Sequence, residues 1–262
     1  MDVLGTARAY IKEMVNLAGP QMKVILMDKE TTTIVSCAFA QSEMMQKEAS
    51  ILIYVYLFER LDSPVPREAI KHLKCLVFVR PTPDNVQLLA IELRNPRYAQ
   101  YYIYFSNIVS KTDLKMLAEA DEHETVREVH EFFLDGIALS PPLFCINLKE
   151  VYDRSFNLTP SAYLRTKQAL VALLLNQKKK PLIRYQRSSE DCKRLADDLN
   201  QVVRREEGLF DNAKQDTVLL IIDRSEDPVT PLLNQWTYEA MVHELITINN
   251  NRVAVDGQSM VL

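Results

Sequence analysis

The chain has 262 residues, of which 47% are hydrophobic and 25% charged, values typical of a globular protein with one large or two small domains. Its formal net charge of −4 argues against a nucleic-acid-binding protein, which would carry a basic surface. The longest apolar cluster, residues 51–58, is too short for the roughly 18 residues of a membrane span. We therefore expect a soluble, cytoplasmic protein that contacts membranes only through partners.

Helical and strand patterns alternate along the first part of the chain. An amphipathic helix is predicted over Val3–Leu17, and Gly19 followed by Pro20 ends it. Further strands are predicted at residues 23–27, 55–58, 75–79 and 101–105, further helices at 33–48, 83–94 and 112–120, and a mixed run at 126–139. This order predicts the α/β class, with a parallel sheet and helices on both faces.

A second α/β domain is predicted after the segment Ser140-Pro141-Pro142, the clearest boundary signal in the chain. Its strands are expected at residues 143–146, 182–185 and 217–222, and its helices at 162–175 and from Ser188 to about 204. The predicted domains are residues 1–134, residues 135–245 and the start of a third at 246–262.

The stretch after the last of these strands is the most informative part of the sequence. Six apolar or β-branched residues, 217–222, predict a strand buried on both faces. Thr230 is predicted to N-cap a helix that begins with the following proline. The polar turn between them lies where α/β proteins place their sites, but it has no glycine to wrap a phosphate. We therefore interpret Asp223, Arg224, Asp227 and Thr230 as a structural turn.

Catalytic motifs are not evident. None of the five glycines belongs to a GxGxxG, P-loop or GxSxG motif, and no histidine pair has HExxH spacing. His123 and His130 lie among glutamates, in either a solvated acidic segment or a metal site. The run Lys178 to Lys180 is either a solvated loop or a contact with an anionic membrane. We expect no metal or cofactor; a small α/β hydrolase or transferase with a site assembled from distant residues is the alternative.

Five segments carry a resemblance to a known family. They are MKVILMDKETTTIVSCAFAQSE (22–43), VYLFERLD (55–62), YYIYFSNIVSKTDLKMLAEADEHE (101–124), PLIRYQRSSEDCKRLADDL (181–199) and IIDRSEDPVTPLLNQWTYEAMVHEL (221–245). They resemble the SM family, the Sec/Munc-type proteins that bind syntaxins and SNARE complexes in vesicle fusion, and within it the endosomal and trans-Golgi branch. The resemblance implies a non-catalytic regulator of vesicle docking and fusion, with a syntaxin-type (Qa) SNARE and the assembled SNARE complex as partners. It also implies peripheral association with Golgi and endosome membranes.

The resemblance also implies two sites in the first domain. In the family, an outward apolar pocket takes the N-terminal peptide of a syntaxin, and the matching residues here are Leu114, Leu117, Val126, Val129, Phe132 and Phe133. A central cavity holds the syntaxin helices, and the matching residues are Gln41, Ser42, Phe58, Glu59 and Arg60. The alternatives are that the first set packs a helix onto the sheet and that Glu59 and Arg60 form an ordinary surface ion pair.

Two features depart from the family pattern. Family chains are much longer, so the second domain is expected to lack its C-terminal strands. Residues 49–54 look like an apolar insertion beside a strand, which could extend that strand or leave an exposed edge.

Overall fold

The computed structural model describes residues 2–39, 55–154, 158–211, 213–249, 252–255 and 258–261. The chain divides into two compact units, Met1–Cys145 and Ile146–Leu262. The first unit contains α1 (Val3–Leu17), β1 (Lys23–Met27), α2 (Lys29–Ala38), β2 (Val55–Arg60), β3 (Ile70–Val79), α3 (Pro83–Arg94), β4 (Tyr98–Phe105), α4 (Lys111–Ala120), β5 (Val126–Glu131), β6 (Ile137–Ser140) and β7 (Leu143–Cys145).

Local sequence signals set the bounds of the first helices. The carboxylate of Asp2 accepts a hydrogen bond from the Gly5 amide at 2.7 Å and so caps α1. The same helix stops before Gly19, whose φ of +81° is a left-handed conformation that glycine adopts without strain. Asp28 and Thr31 form a capping box at the start of α2. The part of the predicted helix 33–48 beyond residue 39, and the insertion at 49–54, lie outside the described residues.

Five parallel strands form the sheet of the first unit, in the order β2-β1-β3-β4-β5. One face buries alternate residues of β1, β3 and β4 beneath α3 and α4. The other face carries α1 and α2, as the packing of α2 on β1 and β3 shows. The predicted α/β class is confirmed, with helices on both faces of the first sheet.

A buried lysine ties the first strand to the first helix. Lys23, at the start of β1, donates to the Val15 carbonyl at 3.0 Å and to the Gly19 carbonyl. Lys74 donates to the Ala18 carbonyl at 3.0 Å, so two cations meet the negative end of the α1 dipole. Burial, assisted by the charge of Lys74, lowers the pKa of Lys23 to about 8.

The division between the units falls between Cys145 and Ile146, later than the predicted boundary at 134. β6 and β7 pair as an antiparallel hairpin, and β6 packs against α1 and α2. Residues up to 145 therefore belong with the first unit, while the functional limits of the domains stay a prediction. No helix of the described residues is long and apolar enough to cross a bilayer.

The second unit contains α5 (Pro160–Asn176), β8 (Leu182–Tyr185), α6 (Glu190–Arg205), α7 (Glu207–Phe210), β9 (Val218–Ile221), α8 (Tyr238–Ile246), β10 (Arg252–Val255) and β11 (Gln258–Val261). β8 and β9 are parallel, and α6 packs on β8. In the run Lys178 to Lys180, the middle residue pairs with Asp216 at 2.6 Å.

The prediction that the strand at 217–222 is buried on both faces is wrong. Val218 and Leu220 of β9 are 60% and 59% exposed, and Ile222 beyond the strand is also exposed. The register pairs Leu182 with Val218, so exposed apolar residues of both strands lie on one face. A continuous apolar run indicates potential burial, but burial also requires a layer over each face, and the described residues cover only one.

The predicted helix start at residue 231 is also wrong. Thr230–Leu232 is a single 3-10 turn, Leu233 is extended, and α8 begins at Tyr238 after Thr237. The N-cap of this turn is Val229 rather than Thr230. Apolar spacing predicts which side of a helix is buried, but the helix begins where its first turn is stabilised.

Candidate partner-binding site

The strand order places a topological switch point between β1 and β3, where doubly wound folds commonly bind a ligand. Here Asp28, directly after β1, accepts the amides of Glu30 and Thr31 at 2.8 Å each. Its second oxygen accepts the Arg80 amide and the Asn85 side-chain amide, both at 2.7 Å. Burial raises the pKa of Asp28 despite these bonds.

Arg80 forms ion pairs at the same edge of the sheet. Its guanidinium lies 2.9 Å from the carboxylate of Glu30 and 3.1 Å from that of Asp135. Asn107, after β4, donates to Asp135 at 2.7 Å. The residues at the carboxyl ends of the strands therefore bind one another and connect β1, β3 and β4.

The two histidines of the acidic segment have different surroundings. His130 is paired with Glu128 at 2.9 Å, and His123 is exposed. Among the residues that the structure describes, no three His, Cys, Asp or Glu side chains are grouped to hold a metal ion.

Most of the predicted pocket residues lie on α4 and on β5, the edge strand of the described sheet, and we refer to the surface between these two elements as the groove. Ser110 caps α4 by accepting the Asp113 amide at 3.0 Å. Leu117 is only 4% exposed and packs in the core, so it can form the floor of the groove. Leu114 and Val126 are half-buried against that core, and Val129 is 43% exposed.

The register shows which predicted pocket residues share a face. Val129 pairs with Ile103, whose side chain lies in the core beneath α3 and α4, so Val129 faces α4. Phe132 instead packs its ring against Tyr10 of α1, at 5.4 Å, and against Tyr104, at 5.0 Å. The prediction that places Phe132 in this pocket is therefore wrong, because its side chain lies on the opposite face of the sheet. Phe133 is half-buried beyond the end of β5.

The predicted cavity residues of β2 also divide between two faces. Glu59 pairs with Leu26 of β1, so its side chain lies on the face of the sheet that α3 covers. It accepts a hydrogen bond from the Tyr98 hydroxyl. Phe58 and Arg60 alternate with it and are exposed.

The ion pair considered for Glu59 and Arg60 is not formed. Arg60 instead binds Asp62 through two hydrogen bonds, at 2.8 and 3.0 Å, which raise the pKa of Arg60. Glu59, whose side chain is 12% exposed, faces Arg67 at 4.0 Å. Gln41 and Ser42 lie outside the described residues.

A buried polar network supports this edge, and the sequence reasoning missed it. Glu92 of α3 is 1% exposed and accepts hydrogen bonds from Arg67 and the Tyr101 hydroxyl, both at 2.7 Å, and from Arg97. The sequence offers one signal for the burial of Glu92: it follows Leu89 by three residues, so the two side chains share a face of α3, and Leu89 is buried.

The polar turn after β9 connects separate segments of the second unit. Asp223 accepts the hydroxyls of Ser189 and Ser225, both at 2.7 Å, and that of Tyr152 at 3.2 Å. These hydroxyl donors, Ser225 first, lower the pKa of Asp223 to about 2. Ser189 in turn caps α6.

Further along the turn, Arg224 pairs with Asp227 at 3.1 Å. Asp227 also accepts the Thr230 amide at 3.1 Å. Hydrogen bonds from the side chain and the backbone of Thr230, followed by that from Arg224, lower the pKa of Asp227. The hydrogen bonds support the interpretation of a structural turn, and its role stays a prediction.

The fold and site together describe a doubly wound α/β protein whose described candidate sites lie on an outer groove and an edge strand. The chain matches the Sec1 family over residues 23–260 and belongs to that family. The resemblance to SM proteins found in the sequence is thereby confirmed.

The similarity to individual relatives is high. The chain is 53% identical over 255 residues to vacuolar protein sorting-associated protein 45 of Mus musculus, covering 97% of this chain and 43% of the relative. It is 40% identical over 262 residues to the protein of that name from Schizosaccharomyces pombe, covering 99% of this chain and 45% of the relative. The chain thus spans less than half the length of these curated relatives.

Solved structures agree with the sequence comparison. One is described as the SM protein Vps45 in complex with Qa SNARE Tlg2 (1-310), with a TM-score of 0.89 and 42% identity, covering all of this chain and 49% of that one. The structure of Vps45 alone gives the same TM-score and identity and is covered to 51%.

Proposed function

We propose that this chain acts as a non-catalytic regulator of vesicle docking and fusion in endosomal and trans-Golgi transport, through binding of a Qa SNARE. The observation that carries the proposal is the similarity, at 42% identity and over the whole chain, to a Vps45 structure solved with the Qa SNARE Tlg2. The partners are a syntaxin-type SNARE of those membranes and the assembled SNARE complex. The chain associates with Golgi and endosome membranes peripherally, through these partners.

The groove between α4 and β5 is the proposed site for the N-terminal peptide of the SNARE. Leu114, Val126 and Val129 form its partly open apolar sides over the buried Leu117. An apolar anchor from the peptide would gain about 1.5–3 kcal/mol by burial there. The peptide thus needs a leucine- or phenylalanine-like side chain, which the groove removes from water.

The edge of β2 is the proposed contact for the helical part of the SNARE. Phe58 and Arg60 are exposed on the same face of this edge strand. Glu59 faces the other way and holds the strand through Tyr98, so its contribution to binding is indirect.

The arrangement of the switch point supports binding rather than catalysis. An α/β hydrolase or transferase would need acid, base or nucleophile groups open to substrate at the carboxyl ends of the strands. Asp28, Arg80 and Asp135 lie there and are engaged with one another or with backbone amides. The comparisons likewise give the enzyme alternative no support.

Val129→Arg tests the groove, with Val65→Arg as the matched control. Val65 is an exposed valine in the loop before β3, away from the groove. Isothermal titration with an N-terminal peptide of Tlg2 should show at least about tenfold weaker binding for Val129→Arg, because a charge replaces apolar contact. The control should bind like the unmodified chain, and circular dichroism should show that both variants are folded.

Substitution of Leu117 would not separate binding from folding, because its side chain is buried in the core. Equal peptide affinity of the Val129→Arg and Val65→Arg variants would exclude the groove as the peptide site. A chain that binds neither the peptide nor Tlg2 itself would contradict the proposed function as a whole.

A further inference from the structure

Three lysines, Lys178, Lys180 and Lys214, are brought together just before the strands β8 and β9. The Lys214 amide donates to the Lys178 carbonyl at 2.9 Å, and the Lys180 amide donates to the Lys214 carbonyl at 3.0 Å. Lys178 and Lys214 are exposed, and Lys180 is partly exposed. We refer to these three residues as the lysine patch.

The end of α5 holds Lys178 in a defined conformation. The Lys178 amide donates to the Leu175 carbonyl at 3.0 Å, and the Lys179 amide donates to the Leu174 carbonyl at 2.9 Å. This pair of bonds is the Schellman cap, and Lys178 occupies the position in it that is usually glycine, with a φ of +51°. A lysine is less stable than glycine in this left-handed conformation. Departures from local preference of this kind occur at functional sites.

The positive charge of this region is not balanced by neighbouring residues of the sequence. Residues 178–188 contain no carboxylate and five cationic side chains: Lys178, Lys179, Lys180, Arg184 and Arg187. The carboxylate of Asp216 lies 2.6 Å from the ammonium group of Lys179. The residues that the structure describes form no ion pair with Lys178 or Lys214. The lysine patch is therefore a surface that favours an anionic partner.

Exposed apolar side chains adjoin the patch. Leu182 and Val218 are paired in the register of β8 and β9, and they are 54% and 60% exposed. Lys180 and Leu182 are two residues apart along the same segment, so their side chains project from the same face. A bilayer surface offers phosphates to the cations and hydrocarbon to the apolar side chains. An acidic polypeptide would satisfy only the charges.

We propose that the lysine patch, together with Leu182 and Val218, binds the surface of an anionic phospholipid bilayer directly. The lysines lie against the lipid phosphates, where each basic residue adds to the affinity. The two apolar side chains enter the boundary between headgroups and acyl chains. This contact goes beyond the peripheral association through SNARE partners that is proposed above, and it does not depend on it.

Partition of the full chain onto protein-free vesicles tests this contact. Vesicles of phosphatidylcholine with about 30% phosphatidylserine are compared with vesicles of phosphatidylcholine alone in a flotation assay. We expect at least about tenfold greater partition onto the anionic vesicles. Salt at about 0.5 M should remove most of this difference, because it screens the charges. Equal partition onto the two kinds of vesicle would overturn the proposal.

Lys178→Gly removes one charge of the patch and suits the left-handed backbone. Thermal unfolding should therefore show an equally stable or more stable chain, while partition onto anionic vesicles falls about fivefold. The matched control is Lys193→Gln, which removes the same charge at a half-exposed lysine of α6 and should leave partition nearly unchanged. An unchanged partition of Lys178→Gly would refute the proposal, and so would equal falls for the two variants, because net charge alone would then explain binding.

Leu182→Ser distinguishes a bilayer from other occupants of the patch. It should lower partition onto anionic vesicles at least about threefold, because it removes apolar contact with the acyl chains. Unchanged partition would contradict this contact, and tight binding of soluble polyglutamate would then identify an acidic polypeptide as the occupant. If Lys178→Gly changes the oligomeric state in sedimentation velocity and not the partition, the patch is an interface between copies of the chain.

Discussion

Replacement of Glu92 by alanine should destabilise the first unit strongly. The carboxylate is 1% exposed and accepts hydrogen bonds from Arg67, Arg97 and the Tyr101 hydroxyl. Its removal leaves the largely buried guanidinium of Arg67 with Glu59, 4.0 Å away, as its remaining described carboxylate.

The magnitude follows from these partners. Removing one member of a buried ion pair costs about 3–5 kcal/mol, because the other charge stays buried and unpaired. Arg97 is partly exposed and can turn to water, so the lower half of this range applies. We expect a loss of about 3–4 kcal/mol of unfolding free energy, and a smaller loss for Glu92→Gln, which keeps the shape and one acceptor.

Native-state hydrogen exchange of the full chain, measured by mass spectrometry, is the appropriate assay. The single tryptophan, Trp236, is 93% exposed and lies in the second unit, so its fluorescence would not report on this change. Peptides that cover β4 contain Tyr101 and report directly on the network.

Glu119→Ala is the matched control. Glu119 is an exposed helical glutamate whose described ion pair, with Lys115, is 3.7 Å long. Its removal should change stability by less than about 0.5 kcal/mol. A similar small change for Glu92→Ala would refute the reasoning, because it would mean that the network is hydrated in solution.

Three other outcomes are expected. Asp223→Ala should lower the stability of the second unit by about 1–2 kcal/mol in thermal unfolding and leave peptide binding intact. Because the pKa of Asp223 in the folded chain is depressed to about 2, the unmodified chain should lose this stabilisation as the pH falls from about 4 to 2. The pKa of Lys23 is about 8 in the folded chain, below its value in the unfolded chain. The free energy of unfolding, measured by urea denaturation, should therefore rise by about 3 kcal/mol between pH 8 and about 10.5. The Lys23→Met variant should not show this rise. We expect the exposed apolar face of β9 to make the chain self-associate, and Leu220→Lys, which places a charge on that face, should reduce the light scattered by the chain. Unchanged scattering would show that this face does not drive association.

The amino-acid sequence by itself determined the order of the elements and many of their bounds. The predicted limits of α1, β1 and α3 coincide with those observed, because apolar period, caps and glycine or proline stops all act within a few residues. The family resemblance was also contained in local segments of the sequence. The α/β class followed from the alternation of strand and helix patterns.

Tertiary structure decided which face each side chain occupies. Leu117 lies in the core, Phe132 packs under α1 rather than beside Val129, and Glu59 faces away from Arg60. The alternation of residues along a strand assigns them to two opposite faces of the sheet. It does not indicate which helix covers each face. That choice depends on contacts between residues far apart in sequence.

The same reason explains the misplaced helix start and the exposed β9. The apolar residues at 217–222 and after 231 indicate which side chains could be buried. Whether they are buried depends on which layers of the fold cover them. The network around Glu92 likewise joins α3, β4 and the loop before β3, and none of these pairings is visible in a single window of sequence. Free energy of burial depends on the surface removed from water, and only the assembled fold determines that surface.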